Sequence, residues 1–189
     1  MSCIYVCNLV EMPGHAAALK ASHLVSLVSP DELPATPPCI AIERHYRVGI
    51  HDISEPLDGH ILPAPEHVQG LIEFVRVWQH DEAPLLIHCV AGISRSMAAA
   101  LITLAVKAPG RELDAARHLR GAAAHAYPNR RMIALADQLL GCEGRLVASR
   151  EAMGPPNLLP FGPLVSLPLL RSASRGQCAC SRAAATSFA

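Results

Sequence analysis

The sequence predicts an α/β fold, with a central, mainly parallel sheet flanked by helices in a single domain. Three observations carry that expectation. Short apolar segments of strand character alternate with segments of helical periodicity along the first 153 residues. Between Glu66 and Trp78, residues Val68, Leu71, Ile72, Val75 and Trp78 recur at spacings of three and four, the stripe of an amphipathic helix. Leu85 to His88 is a short unbroken apolar run, the pattern of a parallel strand buried on both faces.

The elements follow in order. Ile4 to Leu9 reads as a strand that Pro13-Gly14 interrupts, with a brief helix from His15 to Lys20. His23 to Val28 reads as a second strand. Four prolines between Pro30 and Pro38 mark a loop before a third strand, His45 to Ile50. A polar loop spans His51 to Pro63, and Pro65 suits the first turn of the helix that follows. After Leu85–His88, Ser94 to Lys107 reads as a helix so apolar from Met97 to Val106 that it must be buried, stopped by Pro109-Gly110. Leu113–Leu119 and Arg131–Leu140 read as two further helices, separated by a loop with Gly121, Pro128 and Asn129. Trp78 reads as core. Past Met153, prolines and then Ser, Arg and Ala take over. Residues 1–153 are therefore expected to form the domain, and 154–189 a flexible tail whose removal leaves the domain folded.

Composition narrows the function classes. With 51% hydrophobic and 17% charged residues, the chain can bury a core. Its formal net charge of zero provides no general basic footprint for nucleic acid or an anionic membrane. The most apolar late stretch, Leu158 to Leu170, is broken by Pro160, Pro163 and Pro168, so no membrane span is expected. The N-terminus has no basic region leading into an apolar run, which points to the cytoplasm. Seven cysteines, an odd number, speak against a closed disulfide framework. Cys3, Cys7, Cys39 and Cys142 read as small buried hydrophobes. Cys178 and Cys180 form a lone C-x-C with no second cluster to complete a metal site.

One segment carries chemistry: His88-Cys89-Val90-Ala91-Gly92-Ile93-Ser94-Arg95-Ser96. It leaves a buried strand and opens a helix, where free backbone N–H groups and the positive end of the helix dipole attract an anion. The residues between Cys89 and Arg95 can curl round one phosphate with their N–H groups inward, and Gly92 permits the backbone angles this needs. A thiolate is the nucleophilic form of cysteine, and a helix N-terminus with a nearby cation favours it. Arg95 also offers a planar fork that matches two phosphate oxygens, which lysine lacks. Ser96 is placed to donate to the sulfur, and His88 to orient the loop.

This segment resembles the H-C-x-x-G-x-x-R-S signature of the protein tyrosine phosphatase superfamily, and length and layout resemble its compact, dual-specificity-like bacterial branch over residues 1 to 153. The resemblance implies a phosphatase-like fold. It implies hydrolysis of phosphate monoesters through a cysteinyl phosphate, with Cys89 as nucleophile, Arg95 and loop residues Val90, Ala91, Gly92, Ile93 and Ser94 binding phosphate, and neither metal nor other cofactor. It further implies a general acid, an aspartate on a loop after a strand, some 30 to 40 residues before the cysteine. Asp52 directly follows the third strand; Asp58 lies closer to the usual spacing. Asp52 is preferred, and Asp58 stays open. Asn129 reads as a helix N-cap, with the pocket rim as its other placement, and His51 and His60 as solvated loop residues.

No side chain between Cys89 and Arg95 is charged, which disfavours a polyphosphorylated substrate. The expected partner is a phosphorylated protein, phosphotyrosine first and phosphoserine or phosphothreonine second, or a small phosphoester. Arsenate reduction, sulfur transfer and a non-catalytic phosphate-binding module are the competing readings. Arsenate chemistry needs a resolving thiol, for which Cys142 is the nearest candidate.

Overall fold

Segments rich in apolar and β-branched residues form four parallel strands in the computed structural model, which describes residues 3–79 and 83–170. They are β1 (Cys3–Asn8), β2 (His23–Val28), β3 (His45–Gly49) and β4 (Leu85–Cys89). A fifth strand, β5 (Val165–Pro168), pairs antiparallel with β1, giving the order β3-β2-β4-β1-β5. The central strands β2 and β4 are buried at every position, as a parallel strand covered on both faces requires.

Helix α1 (Met12–Ala18) covers one face, packing Met12 and Ala16 against Cys7, Leu24 and Leu86. The other face carries α2 (Pro65–Val77), α3 (Arg95–Lys107), α4 (Glu112–Ala122), α5 (Arg130–Leu140) and α6 (Arg145–Glu151). Every residue of α3 from Arg95 to Ala105 is buried, because this helix lies between the sheet and α2, α4 and α5. Trp78 is buried at the end of α2 and donates its indole N–H to the Ala83 carbonyl. The loops after β1, β3 and β4 converge at the carboxyl edge of the sheet, where ligands bind in open α/β sheets.

Three expectations require correction. Pro13 does not delay α1: it stands in the first turn, where its missing N–H costs nothing, so the helix begins at Met12. Cys39 is exposed, because the turn from Pro37 to Ile40 directs Ile40 inward instead. Most consequentially, the chain from 154 to 170 is no loose extension. Val165 and Leu167 of β5 join the main core, and Cys3 Sγ lies 3.0 Å from Ser166 Oγ. Polar and proline-rich composition disguised a strand whose inward face needs only two apolar residues. Residues 171–189, with Cys178 and Cys180, lie outside the described residues.

The sequence also left α6 unpredicted. Its start depends on Asp137, buried on α5, whose two carboxylate oxygens accept from the Gly144 N–H (2.7 Å) and the Leu146 N–H (2.9 Å). That is an N-cap supplied from the preceding helix, satisfying donors that no local residue serves. Gly141 and Gly144 take positive φ, 65° and 85°, to make the reversal between the two helices.

Ending the chain after Met153 is therefore expected to strip the β1 edge and remove Val165 and Leu167 from the core. Their burial alone contributes roughly 3–6 kcal/mol. Urea melts of the full and shortened chains measure the loss; equal midpoints would show that β5 adds nothing.

Candidate active site

The loop between β4 and α3 is built from peptide planes turned one way. A trans peptide directs its C=O and its N–H to opposite sides. The Val90 carbonyl accepts from the Leu9 N–H (3.1 Å), and the Ile93 carbonyl from the Tyr127 N–H (2.9 Å). The Ser94 carbonyl accepts from Ala98 (2.8 Å) and Asn129 (3.3 Å). With these carbonyls held outside, the N–H groups of Ala91 and Ser94 turn toward the inside of the loop. The Gly92 N–H donates directly to Cys89 Sγ at 3.3 Å. The result is a ring of inward donors at a helix N-terminus, an anion nest.

Gly92 is required on two counts. Its φ is +74°, and a Cβ there would lie 3.0 Å from the Cys7 carbonyl group. The loop thus sits directly on the end of β1, with no room for a side chain.

Cys89 lies at the base of the loop, buried, with Ser96 Oγ 3.1 Å from its sulfur. Ser96 Oγ and the Gly92 N–H are hydrogen-bond partners of that sulfur. Arg95 is only 5% exposed. Its Nη1 donates to the Ile50 carbonyl at 2.6 Å, tying α3 to the end of β3, while its Nε has no partner. A buried guanidinium with an unfilled N–H beside an anion nest is a cation prepared for an oxyanion.

Asp52 is brought to this loop and Asp58 is not. One carboxylate oxygen, Oδ1, accepts from Ser94 Oγ (2.7 Å) and from Asn129 Nδ2 (2.8 Å). Asp58 sits exposed farther along the loop, whose base is closed by the His51 N–H to the Ile61 carbonyl (2.9 Å). The loop is pinned by the start of α5. Asn129 also donates to the Ile53 carbonyl, Arg131 to the Pro63 carbonyl, and Arg130 pairs with Glu55 at 2.9 Å. That last pair is exposed at both ends and contributes little. Asn129 is an N-cap as expected, its Oδ1 accepting from Arg131 and Met132, while its amide nitrogen holds Asp52. Asp52, Ser94, Asn129, Tyr127, Arg130 and Arg150 line a cleft of about 400 Å³. His51 and His60 face each other at 4.6 Å on the rim of the loop.

His88 is fully buried behind the loop and belongs to a polar chain that only the fold reveals. Ser26 Oγ stands 2.6 Å from His88 Nε2 and 2.7 Å from His45 Nε2, and Thr36 Oγ1 stands 2.8 Å from His45 Nδ1. One hydroxyl has one proton, so Ser26 donates to one imidazole and accepts from the other. Burial holds His88 down to about 4, with His45 and Arg95 adding to the effect and the polar backbone of Cys89 partly offsetting it. Burial and Arg47 hold His45 down to about 4.

The other thiols stand apart from this chemistry. Burial, with Glu11 and Cys89 adding, pushes the Cys7 thiol up to about 12. Burial, then Glu112 and Asp137, push Cys142 up to about 11, and its Sγ bonds Glu112 on the α4 side of the fold. Among the described residues, no group of three or more His, Cys, Asp or Glu is arranged to hold a metal ion.

The family model for protein-tyrosine phosphatase matches residues 59–123, the stretch that contains the loop. No curated protein matches the sequence. Among solved structures, the chain is similar to Cydia pomonella PTP-2 phosphatase, at 19% identity and a TM-score of 0.55, over 71% of this chain and 84% of that one. It is also similar to human DUSP28, at 16% identity and a TM-score of 0.56, over 74% and 89%. The chain therefore has the fold of these phosphatases, and its segment 59–123 matches the protein-tyrosine phosphatase family model.

The neutral histidines have a consequence for stability. Unfolded, both imidazoles protonate near 6.5; folded, they resist protonation down to about 4. Unfolding therefore takes up protons as pH falls through that window, so the stability these two groups contribute is fully present above 6.5 and is lost toward 4. Urea midpoints across this range should fall more gently for His45→Gln than for the wild-type chain. Parallel slopes would show that this pair is not the acid-sensitive element.

Proposed function

We propose that the protein hydrolyses phosphate monoesters on proteins, phosphotyrosine first among them, through a covalent intermediate on Cys89. The observation that carries this reading is the conjunction of a buried thiol bonded to Ser96 and to the Gly92 N–H with an unpartnered guanidinium N–H of Arg95 at the same strand-to-helix loop.

The substrate phosphoryl group docks in the ring, its oxygens on the loop N–H groups and on Arg95. The Cys89 thiolate attacks phosphorus opposite the ester oxygen, so the S–P bond forms as the P–O bond breaks. Asp52 gives its proton to the departing alcohol or phenol. Both donors to Asp52 engage Oδ1, which leaves Oδ2 to carry that proton. Asp52, now ionised, removes a proton from water as the water attacks phosphorus. The S–P bond breaks, inorganic phosphate leaves and the thiolate is restored, with Ser96 donating to the departing sulfur. Charge on the transferring oxygens is stabilised by fixed dipoles and Arg95, so electrostatic preorganisation supplies most of the effect. His88 acts by holding the loop: its Nε2 lies against Ser26 rather than the sulfur, and burial holds it down to about 4, too weak a base for the thiol.

Val90, Ala91 and Ile93 bring no charge to the phosphate, which favours a singly phosphorylated side chain over a polyphosphorylated ligand. The cleft beside Asp52 opens to solvent through Tyr127 and Arg130, giving room for the protein segment on either side of that residue. Reductive chemistry is not favoured: Cys142, the candidate resolving thiol, is buried against Glu112.

Turnover of p-nitrophenyl phosphate in chelator tests the reading. Cys89→Ser should abolish it while retaining phosphate binding. Asp52→Asn should lower kcat by about 10²-fold or more, the usual size of a general-acid effect, whereas Asp58→Asn should not. Arg95→Lys should lose most activity despite keeping its charge, because the fork is gone. Full turnover by Cys89→Ser would overturn the proposal.

A further inference from the structure

Four peptide carbonyls of the loop are held from outside, and the fourth holder comes from the far end of the described chain. The Gly162 N–H donates to the Ala91 carbonyl at 2.7 Å. That carbonyl shares a peptide plane with the Gly92 N–H, the donor to Cys89 Sγ. Outward capture of the one aims the other at the sulfur and at whatever oxyanion replaces it.

We infer that Gly162 is a positioning residue of the active site, clamping the Ala91–Gly92 peptide so that its N–H faces the reacting centre. The inference rests on the function proposed above for that loop. The surroundings of Gly162 are built for this contact. Asn8 Nδ2 donates to the Gly162 carbonyl at 3.3 Å, and Asn8 is itself fixed by two bonds to Glu11. A Cβ at Gly162 would lie 2.8 Å from the Gly92 carbonyl oxygen and 2.7 Å from His125 Nε2. Both neighbours are constrained, for the Gly92 oxygen is backbone and the His125 ring is buried. Glycine alone allows the strap to lie so close. β5 anchors the strap a few residues later, and Asn157, donating to the Ala124 carbonyl at 2.9 Å, anchors it before. The returning segment thus stabilises the sheet edge and sets the geometry of the site.

Gly162→Ala in the full chain is the direct test. Its methyl group must push the Gly92 peptide, so inhibition by orthovanadate should weaken about ten-fold, a fraction of the cost of deleting an oxyanion donor outright. Cys89 alkylation by iodoacetamide at fixed pH should slow as well. A loss of folded molecules would lower apparent kcat but leave the vanadate inhibition constant of the survivors unchanged, which separates positioning from simple destabilisation. Should Gly162→Ala fail to fold, Asn8→Ala loosens the same clamp from behind and should weaken vanadate in the same direction. Vanadate inhibition and alkylation rates equal to wild type in a folded variant would overturn the inference. The alkylation readout needs no turnover, so it tests the clamp even if wild-type protein hydrolyses no phosphoester, a result that would reject the proposed function by itself.

Discussion

The direction of the peptide planes in residues 90–94 is the constraint on which the site depends. Backbone N–H groups cannot point inward unless their partner carbonyls are satisfied outside, since a buried carbonyl without a donor costs on the order of 1–3 kcal/mol. The fold meets that demand from four directions: β1 through Leu9, the α4–α5 connection through Tyr127, α5 through Asn129, and the returning C-terminal segment through Gly162. The outer hydrogen bonds determine the inner surface. A loop isolated from these partners would have no reason to keep one face lined with donors.

The same economy governs the charged and polar groups behind the loop. Arg95 is buried, and the desolvation of a guanidinium is tolerated because its Nη1 meets the Ile50 carbonyl while Nε remains for an anion. That bond also joins the loop to the end of β3, two residues before Asp52. Asp52 in turn is gripped by Ser94, a loop residue, and by Asn129, the cap of α5. The proposed acid and the phosphate loop are therefore positioned by one connected set of bonds. The Thr36–His45–Ser26–His88 chain extends that set under the sheet edge.

Much of this was legible in the sequence, and the parts that were not share a physical cause. The parallel sheet, the buried α3 and the cysteine–arginine loop announce themselves through side-chain pattern: unbroken apolar runs, three-and-four periodicity, and a thiol at a strand-to-helix junction. Asp52 directly follows β3 in the sequence, and the structure brings it to the loop. What stayed hidden were contacts made by backbone atoms and by single small residues. Leu9, Tyr127 and Gly162 act through main-chain N–H groups, which have no residue-type signature. The strand β5 is four residues long and alternates Val165 and Leu167 with Ser166 and Pro168, too brief to stand out from a proline-rich stretch. Helix α6 is capped by Asp137 on another helix, so no local motif marks its start. Cys39 looked apolar in context and is exposed because the neighbouring turn directs Ile40 into the core instead.

Outward capture of the loop carbonyls should aim the N–H groups of Ala91, Gly92 and Ser94 at a bound phosphate. Amide resonances of ¹⁵N-labelled Cys89→Ser protein, titrated with inorganic phosphate, report on those protons directly. Saturable downfield shifts concentrated at Ala91, Gly92 and Ser94 are the predicted result. Phosphate that binds while those three amides stay unmoved would contradict it.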